Sequence, residues 1–242
     1  MISKYIIYNG VRSSELGLRL VDDITFESPE KDVELINIDG VNGSKIRSKQ
    51  RLNVISKTFP FKVYNFNVDI QDIIGKLNVT YLNQEDKWHD FELSWDPDYI
   101  YKAYCYETFS IEGSLKARKK CVINFKVHPV KFRKNGFRKF VFMRTGDYLV
   151  NPEKREAKPL IKLVGSGDVT LNINSQIFRL KGVQGHIIID CESQSASWDN
   201  KEAQYDKVYS YPFPKLELGK NLINWDNSNF RVEITPRWEA NV

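Results

Sequence analysis

Short runs of alternating apolar and polar residues dominate this chain. The stretches 4–9 (KYIIYN), 24–28 (ITFES) and 33–38 (VELINI) are bounded by turn formers at Asn9-Gly10, Ser28-Pro29 and Asp39-Gly40. Such runs between turn residues predict strands. From Val41 to Lys57 the chain is basic and contains Asn42-Gly43, which predicts a long hairpin or extended arm. One segment breaks the pattern. Ile70, Ile73, Ile74, Leu77 and Tyr81 recur at helical spacing, Asp69 is a good N-cap, and Asp72 suits the positive end of the dipole, so a helix is expected over about 69–82. Gly75 weakens it by roughly 1 kcal/mol. Strands resume at WHDFELSW, YIYKAYCYE and CVINFKV.

A composition break follows. Residues 130–142 (VKFRKNGFRKFVF) hold Asn135-Gly136 between basic-aromatic arms, and 148–159 are polar with two prolines. The reading is two domains, 1–133 and 134–242. In the second, LIKLVG, VTLNIN, IFRLK, HIIID, LINW and FRVEITPRW are separated by turns and predict a β-sandwich.

Composition supports an all-β class with one short helix. Of 242 residues 13% are aromatic and only six are Ala; this favours pleated surfaces over helices. The net charge of +5 is modest and dispersed, which suggests solubility rather than nucleic-acid binding. No run approaches twenty apolar residues, and the apolar stretch in MISKYIIYNG is too short for a signal peptide. Cys105, Cys121 and Cys191 form no CxxC pair, so redox or zinc chemistry is not expected and a reduced compartment is. Synthesis in a cytoplasm without export is the expectation.

Candidate chemistry is sparse. Residues 186–198 (HIIIDCESQSASW) contain the residue types of a hydrolase site. In an extended strand, however, His186 and Cys191 stand about 16 Å apart on opposite faces, and His186 and Asp190 about 13 Å apart. A nucleophile and its base need hydrogen-bond contact, so only a partner from another strand could complete a site. A buried strand ending in a turn is the stronger reading. His89, His128 and His186 show no metal-ligand spacing. The pairs Glu92/Asp96 and Glu107/Glu112 could be glycosidase carboxylates, but strand-edge acids are more often solvated or ion-paired. The cations between Phe132, Phe137 and Phe140 could suit single-stranded nucleic acid; a hairpin with Phe inward and cations outward is favoured. No phosphate-binding glycine motif occurs. No catalytic residue, cofactor or metal is expected.

The order of segments carries more than any one of them. YIIYNGVRSSELGLRL, SPEKDVELINIDGVNGSK, a helix, and SWDPDYIYKAYCYETFSIEG resemble the N-terminal half of siphophage distal tail proteins. EAKPLIKLVGSGDVTLNINSQIFRLKG, HIIIDCESQSASW and FPKLELGKNLINWDNSNFRVEITPRW are similar to the C-terminal half. The resemblance implies an N-terminal tail-tube-like β-sandwich or barrel whose six copies form a ring round the DNA channel. It also implies a C-terminal galectin-like β-sandwich. The partners implied are the tail tube protein, the tail-associated lysin or tail-tip protein, and receptor-binding or baseplate proteins, at a virion tail tip assembled in the host cytoplasm. No membrane or sequence-specific nucleic acid is implied. Galectins hold sugars through a motif like HxNPR and a stacking Trp. His186 and His128 lack that context, so Trp198 and Trp225 could stack on a sugar but are better read as core or interface. A carbohydrate-binding module is the alternative function.

In the 41–52 arm, Lys45, Arg47, Lys49 and Arg51 occupy alternate positions, so an extended arm would have one basic face. Four like charges gain little within a monomer, whereas an acidic surface on a neighbouring subunit would compensate them. The arm is therefore expected to be an inter-subunit contact, lost when all four become Glu.

Overall fold

The computed structural model describes residues 4–21, 24–25, 27–63, 69–112, 119–199 and 202–242. The chain divides into two compact units, Met1–Lys131 with Asn241–Val242, and Phe132–Ala240.

The first unit contains β1 (Ile6–Tyr8), β2 (Val11–Arg12), β3 (Leu18–Leu20), β4 (Lys31–Asn37), β5 (Ser44–Leu52) and β6 (Ile55–Val63). After α1 (Ile70–Leu77) come β7 (His89–Leu93), β8 (Tyr99–Tyr104), β9 (Ser110–Glu112), β10 (Lys119–Val127) and β11 (Val130–Arg133). Its main sheet runs β2-β1-β7-β8-β10-β6-β3. At its centre β6 and β10 pair over nine residues, from Lys119 opposite Val63 to Val127 opposite Ile55. Strict alternation in both puts Phe59, Phe61, Val63, Cys121, Ile123, Phe125 and Val127 on one buried face.

Tyr8, Phe59, Tyr81, Phe91 and Phe125 meet there, with ring centroids 5.0 Å apart for Phe91 and Phe125 and 5.4 Å for Tyr8 and Tyr81. Part of the high aromatic content is thus core, each of these rings contributing about 2 kcal/mol of burial. The helix caps this cluster. Asp69 accepts the Gln71 backbone N–H as its N-cap, α1 passes into a π-helical turn at Asn78–Leu82, and Ile73, Leu77 and Tyr81 are buried. Of the strand expected at 24–28, none of the described residues lies in a strand. Ile24 packs on the core unpaired, Glu27 and Ser28 lie outside any strand, and Phe26 lies outside the described residues. Pro29 has no N–H with which to extend a ladder.

The second unit contains β12 (Phe140–Phe142), β13 (Asp147–Asn151), β14 (Leu160–Val164), β15 (Gly167–Ile173), β16 (Gln176–Val183) and β17 (His186–Asp190). Then come β18 (Ser195–Trp198), β19 (Glu202–Ala203), β20 (Gly219–Trp225), β21 (Arg231–Thr235) and β22 (Glu239–Asn241). One sheet runs β12-β21-β14-β17-β18-β19 and the other β13-β20-β15-β16. Residues of both, among them Ile161, Leu163, Ile187, Val232, Leu171, Phe178 and Ile223, share one core, which makes the unit a β-sandwich.

Two local expectations are corrected. Residues 130–142 are not a hairpin, because a 3₁₀ turn at Lys134–Phe137 separates β11 from β12 and β12 pairs with β21. A side chain at Gly136 would stand 2.5 Å from the Trp238 backbone nitrogen, so this turn is packed tightly on Trp238. Phe132 is buried while Phe137 is exposed. Residues 195–198 are not a turn but the return strand β18, with Ile188 opposite Ser197; the turn itself is 191–194, where Gln194 takes a positive φ of 53°. Among the described residues no helix is long and apolar enough to cross a membrane.

Candidate functional site

The feature least explained by folding alone is the hairpin of β4 and β5. It forms a two-stranded sheet of its own, and none of its residues joins either core. An isolated two-stranded ribbon is marginal in water. The tip carries Gly40 and Gly43, with φ of 77° and 87°, a conformation that favours glycine. At the root the Asn53 N–H donates to the Glu30 carbonyl at 2.8 Å.

Register sorts the ribbon's residues by face. Glu34 lies opposite Arg47 and Ile36 opposite Lys45, whereas Leu35 lies opposite Ile46 and Val33 opposite Ser48. One face therefore carries Glu34, Arg47 and Lys45 beside Ile36, and the other an apolar stripe of Val33, Leu35 and Ile46. Leu35 and Ile46 are 64% and 68% exposed, which is unusual for side chains of this kind in neighbouring positions.

The four cations do not form the uncompensated row that alternation suggests. A register shift between Lys31 and Val33, with Gln50 at a φ of 56°, turns Lys49 and Arg51 toward one carboxylate. Asp32 accepts from Arg51 at 2.6 Å and from Lys49 at 3.1 Å, and Glu34 stands 3.9 Å from Arg47. The hydrogen bonds from Arg51 and Lys49 hold the Asp32 carboxyl below the usual carboxylate range. Among the described residues Lys45 has no ion-pair partner. The premise of charges with no acidic partner in the monomer is thus corrected, because the acids of β4 supply one.

The 186–198 stretch has a different geometry from that of a lone strand. The β17–β18 hairpin brings Asp199 to His186, at 2.8 Å from Nε2, and the Trp198 indole N–H donates to His186 Nδ1 at 3.0 Å. Because an indole can only donate, Nδ1 is the unprotonated nitrogen and Nε2–H points at Asp199. Lys162 stands 3.7 Å from the same carboxylate. The sequence reading missed Asp199 because it took the return strand for a turn. Asp190 faces elsewhere, in a two-pronged ion pair with Arg237 at 2.8 and 3.1 Å.

Cys191 brings no nucleophile to this cluster. Cys191 is buried and its thiol is pushed up by burial. Burial likewise raises Cys105 to about 12 and Cys121 to about 11, so all three are protonated at neutral pH and poor ligands or nucleophiles. Of the acids, Asp96 accepts from the Tyr101 hydroxyl and from Lys131, and Glu107 stands 3.4 Å from Lys126. Among the described residues no group of three or more His, Cys, Asp or Glu is placed to hold a metal. Trp225 is buried and donates to the Phe230 carbonyl at 3.0 Å, so it cannot stack on a ligand; Trp198 is half-exposed.

No family of known proteins matches the sequence, and no curated protein does. In structure the chain is similar to SPP1 Dit (gp 19.1), described as a paradigm of the hub adsorption apparatus in phages infecting Gram-positive bacteria. The TM-score is 0.76 over 96% of this chain and 97% of that one, at 13% identity. This chain has the Dit fold. At that identity the likeness is one of architecture, and it extends over both units. The Dit fold is all-β here apart from α1 and the short turns.

Proposed function

We propose that this protein is a structural hub of a phage tail tip, a distal tail protein without catalytic activity. In this reading the N-terminal domain closes into a hexameric ring round the DNA channel, and the galectin-like C-terminal sandwich lies outside it. The ring joins the tail tube to the tail-associated lysin and to host-adsorption proteins at the virion tail tip. The Dit fold over nearly the whole chain carries the reading. The exposed β4–β5 ribbon, with Lys45, Arg47, Lys49 and Arg51, supports it as an inter-subunit arm, since an uncovered ribbon gains stability when a neighbour covers it. Light scattering after size exclusion, with negative-stain imaging, tests the ring. A strict monomer at high concentration, still without rings when the tail-tube partner is added, would overturn it.

A second reading, a module for host cell-wall saccharide, is favoured by one observation. Trp198 is half-exposed beside His186, Asp199 and Lys162, an aromatic plane with polar neighbours that could grip a sugar. Calorimetric titration with cell-wall saccharides tests it, and no heat at millimolar ligand would retire it.

A further inference from the structure

We infer that the open edge of the second unit, along β12, takes an extended acidic segment of another protein as an added strand. The inference needs only the geometry of this unit and goes beyond the hub reading. In the orders β12-β21-β14-β17-β18-β19 and β13-β20-β15-β16, both β12 and β13 are end strands. Between them lies a groove of about 640 Å³, walled by Phe140, Val141, Phe142, Tyr148, Val150 and Trp238. Val141 is 52% exposed, and Met143, just past β12, is exposed too. An end strand offers a row of N–H and C=O groups to a further chain. Among the described residues no strand takes up that offer on the side of β12 away from β21.

The charges around this edge select the partner. Residues 130–144 hold six Lys or Arg and no Asp or Glu. Lys131, Arg133 and Lys139 pair with Asp96, Glu153 and Glu233. Arg138 and Arg144 stand at the two ends of β12, both exposed, and among the described residues neither has an ion-pair partner. The Arg138 guanidinium lies over the Phe140 ring, 5.9 Å from its centroid, at the wall of the groove. Against these cations stands one acid among the described lining residues, Asp147. A second copy paired antiparallel about Val141 would bring Arg138 against Arg144, and like charges facing across strands oppose pairing. The edge therefore repels its own kind and favours a foreign strand with acids at both ends.

The middle of that strand should be apolar at alternate positions. Added strands gain affinity from main-chain hydrogen bonds and specificity from every second side chain, and here those side chains would meet Val141, Tyr148 and Val150. Because both strands rise about 3.3 Å per residue, the partner's acids should stand about six positions apart, as Arg138 and Arg144 do. A central proline would remove an N–H and spoil the fit. The floor of the groove is held in advance: Trp238 is buried, and its carbonyl accepts the Arg133 N–H at 3.0 Å. Little ordering is left for binding to impose on it.

Fluorescence polarisation with the full chain tests this, using the labelled peptide EEVTVTVEE and two controls, KKVTVTVKK and EEVTPTVEE. The first should bind with a Kd below about 200 μM, and each control at least tenfold more weakly. In amide NMR spectra the changes on titration should centre on residues 140–143. A double variant, Arg138→Glu with Arg144→Glu, alters only exposed side chains and should keep its circular dichroism. Its preference should reverse, with the lysine-ended peptide binding at least tenfold better than the acid-ended one. Equal binding of the proline peptide would reduce the contact to charge alone, and an unchanged preference in the double variant would place it elsewhere. Either result overturns the inference, as does the absence of binding at millimolar peptide. Self-association of the free chain that the acidic peptide displaces would make the occupant a second copy, and overturns it too. None of these outcomes bears on the ring, which light scattering reads.

Discussion

Asp190 shows how a single carboxylate ties two loops of the sandwich together. Burial opposes its ionisation, but the Arg237 guanidinium and the backbone N–H groups of Glu192 and Ser193 outweigh burial and hold the carboxyl below its usual range. A depressed carboxyl stabilises the fold above the ordinary value of about 3.9, and that stabilisation is lost as pH falls through the lower folded value. Arg237→Ala should cost about 2 kcal/mol at pH 7, with the difference from wild type shrinking below about pH 4. Urea titrations at the two pH values check this; an unchanged difference at low pH would assign the loss to packing. The Tyr81 hydroxyl is a contrasting case, since it is buried with no hydrogen-bond partner among the described residues. Burial raises its pKa far above the ordinary tyrosine value. Removing an unsatisfied hydroxyl while keeping the ring should help, so Tyr81→Phe is expected to gain about 1 kcal/mol. A clear loss in thermal melts would show that the hydroxyl has a partner after all.

Among the elements, the tight approach of the 134–137 turn to Trp238 is the most exposed to substitution. Gly136→Ala puts a methyl 2.5 Å from a backbone nitrogen, which cannot yield as a flexible side chain would, so a loss of about 2 kcal/mol is expected. A melting temperature equal to wild type would mean that the turn is looser than it looks. This turn was not legible in sequence. Asn135-Gly136 reads as a hairpin signal, and nothing local reveals that β12 pairs with β21, more than ninety residues later. The helix was legible, because Asp69 caps it and Ile73, Leu77 and Tyr81 keep helical spacing within a dozen residues. The β4–β5 hairpin was legible for the same reason, as a turn signal between alternating runs. The four residues of β18 were too few for alternation to register, and with them went the His186–Asp199 contact.

For the whole molecule, a charged contact and an apolar contact of the arm would differ in their response to salt. A basic face meeting an acidic neighbour would release as ionic strength rises, because exposed charges are screened within about 10 Å at 0.1 M. With Lys49 and Arg51 already held by Asp32 and an apolar stripe as the contact, assembly should persist or tighten in molar sulfate. Sedimentation velocity across a salt series decides between them, and dissociation below about 0.5 M salt would favour the charged arm.

The exposed ribbon also makes the chain a reporter on its own assembly. Lys45, Arg47, Lys49 and Arg51 are four trypsin targets on a segment that belongs to neither core. Cleavage there needs only local opening of the ribbon, far easier than unfolding either unit. A free subunit should therefore be nicked between 45 and 51 early in limited proteolysis while the rest stays folded. A subunit whose ribbon is seated on a neighbour should resist, so the half-life of that one band would time the joining of subunits without imaging them.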